Sequence, residues 1–208
     1  MTALALIRHG STVFTETRRI QGLRDVPLSG TGCAKVQSYD VPSELTGFAW
    51  ISSPLSRARE TARILCGKPV PTDSRLIEMD WGAWEGRTLK DLRADLGKTM
   101  RENEDKGLDF CPDGGESPRQ VLRRVQPLLA EIGAARRDTV AVTHRGVIRA
   151  IFAAALDWDM VGPPPHKLDW TCIHVFDVDD RGVPRISGLN IPMVPAEKPV
   201  PTDNWRTR

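Results

Sequence analysis

The 208-residue sequence lacks a dominant charge: 29 Lys and Arg oppose 27 Asp and Glu, a formal +2 at pH 7. That balance argues against a bulk electrostatic footprint for nucleic acid or for an anionic membrane surface, so neither is expected as a partner. No apolar run reaches transmembrane length. The passage from Met1 through a short apolar run straight into Arg8-His9 predicts that no secretory leader is present. Cysteine is sparse. Cys33, Cys66, Cys111 and Cys172 are far apart, with no C-x-x-C pair, which argues against a zinc knuckle or a thioredoxin-type motif. Four reduced thiols predict a cytoplasmic protein. Gly114-Gly115 is not followed by Gly-Lys-Ser/Thr, so a turn is expected there rather than a phosphate loop.

What is present is a repeated local pattern. The apolar runs 3–7, 49–53 and 139–143 are each too short for a helix and read as buried strands; each is followed by a helical pattern. After the second run, Ser53 reads as an N-cap with Pro54 at the first helical position and Gly67 as the stop. Gly146 to Leu156 reads as a buried helix. Ser117 and Gln120 fit a capping box, with Pro118 just inside; Val121, Leu122, Val125, Leu128, Leu129 and Ile132 then share one face, and Pro127 is expected to bend that helix. A charged helix is expected over 89–106, and strands over 174–178 and 186–189. Strands alternating with helices predict an α/β fold, a three-layer sandwich with a mostly parallel central sheet flanked by helices. With no repeat and no internal linker, one domain is expected over 1–190, with 86–116 as a small cap. Residues 191–208, with four prolines and no clear period, read as a Pro-rich tail.

Ligands of such sheets sit outside the carboxyl ends of the strands. Arg8-His9, Arg57 and His144 all fall there, so three separated segments deliver two histidines and two arginines to one edge. Planar guanidinium forks match the oxygens of a phosphate monoester, and Arg57 lies in the first turn of its helix, where free N–H groups favour an anion. Neighbouring guanidiniums disfavour an imidazolium, keeping His9 neutral and nucleophilic. His144 would stabilise charge on the phosphoryl oxygens. Glu78, between the apolar Leu76-Ile77 and the pair Trp81 and Trp84, could have a raised pKa and protonate the leaving alkoxide; water would then attack the phosphohistidine with Glu78 as base.

Leu6-Ile7-Arg8-His9-Gly10, Gln21-Gly22, Ser53-Pro54-Leu55 with Arg57-Ala58, Glu78 with Trp84-Glu85-Gly86, Gly115-Glu116-Ser117 and Val142-Thr143-His144 occur in one order. That order resembles the histidine phosphatase superfamily, the branch that includes cofactor-dependent phosphoglycerate mutases and α-ribazole phosphatase. The resemblance implies a phosphoglycerate mutase-like fold and no cofactor. It implies His9 as the phosphorylated residue, Arg8, Arg57 and His144 as phosphate ligands, Glu78 as proton donor, and substrate contacts from the loop around Gln21 and Gly22. Two positions depart from the pattern. Thr15 stands where many members have an Asn touching the phosphate, and a hydroxyl can substitute. Arg145 stands where Gly is usual, and could add charge for a polyanionic substrate or point to solvent. The stretch 85–116 is short for the mutase insertion, which favours hydrolysis.

The expected activity is therefore hydrolysis of a small phosphorylated metabolite through a phosphohistidine. The alternatives are a phosphoglycerate mutase-like phosphotransferase, a phosphate-binding regulatory module without turnover, and a metal hydrolase using His9, His144 and Glu78, against which the flanking arginines argue. The plainer readings are a surface pairing of Glu78 with Arg75, structural or surface roles for His166 and His174, packing roles for Trp81 and Trp84, and solvated helix faces for Arg59, Arg63, Arg123 and Arg124.

Overall fold

The computed structural model describes residues 1–196. Its main sheet has five strands in the order β3-β4-β1-β5-β6, where β1 is Thr2–Arg8, β3 Ala49–Ser52, β4 Thr139–Thr143, β5 Ile173–Val178 and β6 Pro184–Ile191. The pairs β3·β4 and β4·β1 are parallel; β1·β5 and β5·β6 are antiparallel. The sheet is thus mixed, with a parallel core. Strand β4 is buried along its whole length, as a parallel strand covered on both faces should be.

The period-two alternation of β1 sorts its side chains between two cores. Leu4 and Leu6 face the cluster built with α5 (Pro118–Ala135) and α6 (Arg145–Ala155), while Ala5 and Ile7 face the cluster containing Ala58 and Ala62 of α3 (Ser56–Cys66). Helix α6 buries Val147, Ile148, Ile151 and Phe152, each contributing about 1.5–3 kcal/mol relative to exposure. The helix α2 (Gly30–Gln37) packs beside α3, giving helices on both faces of the sheet.

Local signals place most of these elements. The Ser117 and Gln120 capping box opens α5, with Pro118 inside its first turn; Pro127 lies within the helix, which runs on to Ala135. Gly67 ends α3 in the left-handed conformation. One start signal is corrected. Helix α3 begins at Ser56 after Leu55, which makes no side-chain cap, and Ser53-Pro54 lie before it. The first N–H is capped from a distance instead: Asp25 Oδ1 accepts from Ser56 N and from its hydroxyl, both at 2.7 Å.

Helix α4 (Leu89–Glu104), interrupted at Gly97, falls inside the stretch 86–116. Leu92 and Met100 close with Trp84 into a small third cluster, edged by Trp81 and Phe110. A short helix α1 (Val13–Glu16) follows β1. The expected tail boundary at 191 is also corrected. Ile191 still belongs to β6, and β7 (Val194–Pro195) pairs antiparallel with β2 (Tyr39–Asp40), so the main-chain bonding partners of 39–40 extend the fold past 190. The rest of the expected tail, 197–208, lies outside the described residues. No helix among the described residues is long and apolar enough to cross a membrane.

Candidate active site

The carboxyl ends of β1, β3 and β4 bring His9, Arg57 and His144 together. The two imidazole centroids are 5.1 Å apart. His9 is 5 % exposed, His144 and Arg57 are 0 % exposed, and Glu78 is 8 % exposed.

The His9 ring is held in one orientation. Its Nδ1 lies 2.7 Å from the carbonyl oxygen of Gly10. A carbonyl only accepts, so Nδ1 carries the proton and the lone pair falls on Nε2. Gly10 is itself fixed, its N–H donating to Thr61 Oγ1 at 3.0 Å. Burial, and then the charges of Arg8 and Arg57, hold the His9 pKa well below the usual imidazole range, against the opposing hydrogen bond to Gly10. The ring is neutral at pH 7, with a nucleophilic nitrogen available.

His144 is pushed well below the usual imidazole range for similar reasons: burial first, then the closeness of His9, since two adjacent imidazoles resist both being protonated, then the charges of Arg57 and Arg8. Its Nε2 meets Ser53 Oγ at 2.7 Å. Ser53 Oγ accepts from Leu55 N at 3.4 Å, and among the described residues His144 Nε2 is the one acceptor within reach of its own proton; that bond puts the ring proton on Nδ1. That Nδ1 is buried and has no partner among the described residues, as are Arg8 Nε and Arg57 Nε. Buried polar nitrogens are rarely left unmatched. Three of them on converging side chains suit an oxyanion.

Arg57 commits only part of its donor set. One terminal nitrogen donates to Arg24 O at 2.7 Å and the other to Gly22 O at 2.9 Å, leaving the remaining N–H groups of five. The guanidinium therefore fixes the loop 21–25 as well as facing the pocket. Burial pushes the Arg8 pKa down to about 10, and the nearby charges of Arg145 and Arg57 add to this while Glu78 opposes it. Arg8 stays cationic at neutral pH.

Glu78 does not pair with Arg75, which instead holds Asp73 and Glu131. Its Oε1 accepts from Met79 N at 2.8 Å and from Gly146 N, in the first turn of α6, at 3.0 Å. Burial raises its pKa; those two backbone bonds and the charges of Arg57 and Arg8 oppose the rise. The carboxyl can thus hold a proton at higher pH than an exposed glutamate, as a group alternating between acid and base requires.

The remaining expected positions behave differently from one another. Gln21 is buried and accepts from the buried Thr12 hydroxyl at 2.8 Å. Gly22 has φ +54°, and a Cβ there would stand 1.8 Å from Glu85 Oε1, so glycine is required on two counts. Thr15 spends its hydroxyl locally: it donates to Thr12 O and accepts from Thr12 N, both at 2.8 Å, in the capping box of α1. Arg145 lies with its guanidinium carbon 4.9 Å from the centre of the Trp170 ring, a cation–π contact, and makes no ion pair among the described residues. Of the plainer readings, Trp81 and Trp84 do pack with Phe110, and His174 is buried in the fold.

Three contributors were not foreseen: Ser53 as the partner of His144, Glu85 as the acceptor from Leu23 N at 2.6 Å, and Arg124. Arg124 is no solvated helix residue. It donates to the carbonyls of Arg75, Ile77 and Glu78 and pairs with Glu116. Only the capping-box position of Glu116's neighbour Ser117 hinted that this segment was fixed.

The sequence profile of the histidine phosphatase superfamily (branch 1) matches residues 4–192. A glucosyl-3-phosphoglycerate phosphatase of Mycobacterium tuberculosis is 34% identical over 179 residues, covering 76% of this chain and 79% of that protein. A probable phosphoglycerate mutase, GpmB, of Salmonella paratyphi B is 34% identical over 134 residues, covering 62% of each chain. Among solved structures, phosphoserine phosphatase of Entamoeba histolytica in complex with 3-phosphoglyceric acid is similar with a TM-score of 0.75 at 28% identity, covering 91% of this chain and 97% of the other.

Proposed function

The chain belongs to the histidine phosphatase superfamily, and on that premise we propose that it hydrolyses a small-molecule phosphomonoester through a phosphohistidine on His9. The observation that carries the reading is the His9 ring, its Nδ1 bound to the Gly10 carbonyl at 2.7 Å, which leaves Nε2 as the nucleophile. The lone pair on Nε2 forms a bond to phosphorus as the bond to the leaving oxygen breaks. The electron pair goes to that oxygen, which takes a proton from Glu78. Water then attacks phosphorus, the N–P bond breaks, and Glu78 receives the proton. Arg8, Arg57 and the Nδ1–H of His144 offset the charge on the phosphoryl oxygens; positioning and charge stabilisation of this kind dominate phosphoryl transfer.

The cationic arginines supply the positive charge that a metal would bring and repel a cation, so the reading needs no metal ion. Gln21 and Gly22 shape the lip of the pocket, and the segment 86–116 acts as a small cap over it. Arg145, held on Trp170, reads a second anionic group on the substrate. Four free cysteines suit a reducing compartment, the cytoplasm.

The decisive experiment is phosphate trapping. Quenching turnover in alkaline detergent should yield an acid-labile, base-stable phosphoenzyme that His9→Ala abolishes together with turnover. Labelling that survives in the variant overturns the assignment. The similarity to GpmB motivates a second reading, phosphotransfer between positions of one substrate. It is tested with 3-phosphoglycerate and a bisphosphoglycerate primer; isomerisation faster than phosphate release would favour it.

A further inference from the structure

We propose that Arg124, fixed by Glu116, is the positioning residue for Glu78. This rests on the reading of Glu78 as proton donor. The segment carrying Glu78 is a short helical turn, Ser74–Leu76, followed by irregular chain, so its carbonyls lack a sheet or helix partner. Four successive carbonyls are nonetheless bonded. One terminal nitrogen of Arg124 donates to the Arg75 oxygen at 2.5 Å; the other shares its two protons among Ile77 O at 2.8 Å, Glu78 O at 3.2 Å and the Glu116 carboxylate. The Leu76 oxygen accepts from Thr143 Oγ1 at 2.8 Å, from the last residue of β4.

A flexible cation could not hold three carbonyls in register by itself. The Arg124 guanidinium is oriented by a two-point contact to Glu116, Nε to Oε1 at 2.8 Å and a terminal nitrogen to Oε2 at 3.0 Å. Glu116 is anchored in turn: its N–H donates to Asp80 O at 2.8 Å and its Oε2 accepts from Asp80 N at 3.4 Å. The acid segment is therefore clamped from 75 to 80 by the start of α5. The phosphate groups His9, Arg57 and His144 hang on other elements. The clamp sets where the Glu78 carboxyl sits relative to the leaving oxygen, and leaves the grip on phosphate to others.

A role in proton donation has a signature that loss of fold does not share. p-Nitrophenolate departs without a proton, whereas an alkoxide needs one. The ratio kcat/KM reports the chain of events up to phosphorylation of His9, so it isolates that step. The test compares β-glycerol phosphate with p-nitrophenyl phosphate for the native enzyme, Arg124→Met, Arg124→Lys, Glu116→Gln and Glu78→Gln, with the inhibition constant of inorganic phosphate measured for each. Arg124→Met should lose about tenfold or more on the alkyl ester, the scale of a misplacement near 1 Å. It should lose much less on the aryl ester and leave phosphate inhibition unchanged. Arg124→Lys should recover part of the loss, and Glu116→Gln should fall between. Equal loss on both esters, or none, overturns the proposal. If Arg124→Met does not fold, the Lys and Gln variants decide by the same ratio. If Glu78→Gln itself fails to discriminate the esters, the proton-donor reading fails and takes the clamp with it. If Glu78→Gln discriminates and the Arg124 and Glu116 variants do not, the clamp alone fails.

Discussion

Ser53 Oγ and His144 Nε2 lie 2.7 Å apart, and both residues are fully buried. Their contact ties the end of β3 to the end of β4 and sets which ring nitrogen of His144 carries the proton. Ser53→Ala should therefore impair catalysis through the tautomer. Steady-state kinetics are expected to show kcat/KM lowered by about 10- to 100-fold, the equivalent of about 1–3 kcal/mol for an unmatched buried polar group. An unchanged kcat/KM would remove Ser53 from the machinery.

Gly22→Ala should displace the loop 21–25, because the new methyl meets the Glu85 carboxyl and the backbone is left-handed at φ +54°. A cost of about 1–3 kcal/mol is expected in urea unfolding. Phosphate inhibition should also weaken, since Gly22 O is one of the acceptors that place Arg57. Adding Glu85→Ala relieves the clash but leaves the dihedral and removes the acceptor of Leu23 N, so the double variant should regain only part of the stability. Full recovery would show that strain at this φ contributes nothing.

Stability should fall as pH drops below about 6.5, the value of an unfolded histidine. His9, His144 and His174 all have folded pKa values below that. In that window the unfolded chain binds more protons than the folded one, so stability rises with pH, by up to about 1.4 kcal/mol per pH unit for each group. Glu78 has the opposite sign: its raised pKa makes the folded state bind the extra proton, which works against the trend set by the three histidines. Urea midpoints at pH 7 and pH 5.5 in phosphate-free buffer should therefore decline toward acid, and a flat profile would contradict neutral burial of the imidazoles.

Arg145→Gly should change preference more than chemistry. Substrates with a second anionic group should lose about tenfold in kcat/KM, the lower range for a charge-assisted hydrogen bond, while p-nitrophenyl phosphate loses less. A uniform effect across a panel of phosphate esters would argue that Arg145 merely stacks on Trp170.

What could be read in the chain before folding follows from the range of each interaction. The Ser117 and Gln120 box is complete within four residues, so local grammar finds it. His9 and His144 were legible because each ends a short apolar strand, where a sheet of this kind exposes its carboxyl edge. Ser53 carries a local signal too, but the tertiary partner wins: its hydroxyl serves His144, 91 positions away, and Asp25 caps α3 in its place. Arg124 was unreadable because its acceptors are backbone oxygens up to 49 positions upstream, and a carbonyl has no sequence signature. The pairing of Tyr39–Asp40 with Val194–Pro195 was hidden by its length, two residues on each side.

Arg57 acts in two places at once: it bonds the carbonyls of Gly22 and Arg24, and its charge bears on both His9 and His144. By linkage, if order in the loop 21–25 tightens the grip on an anion, a bound anion favours order in the loop by the same factor. Residues 22–24 can thus tune product retention without touching product, and an occupied pocket should slow hydrogen exchange at amides of that loop.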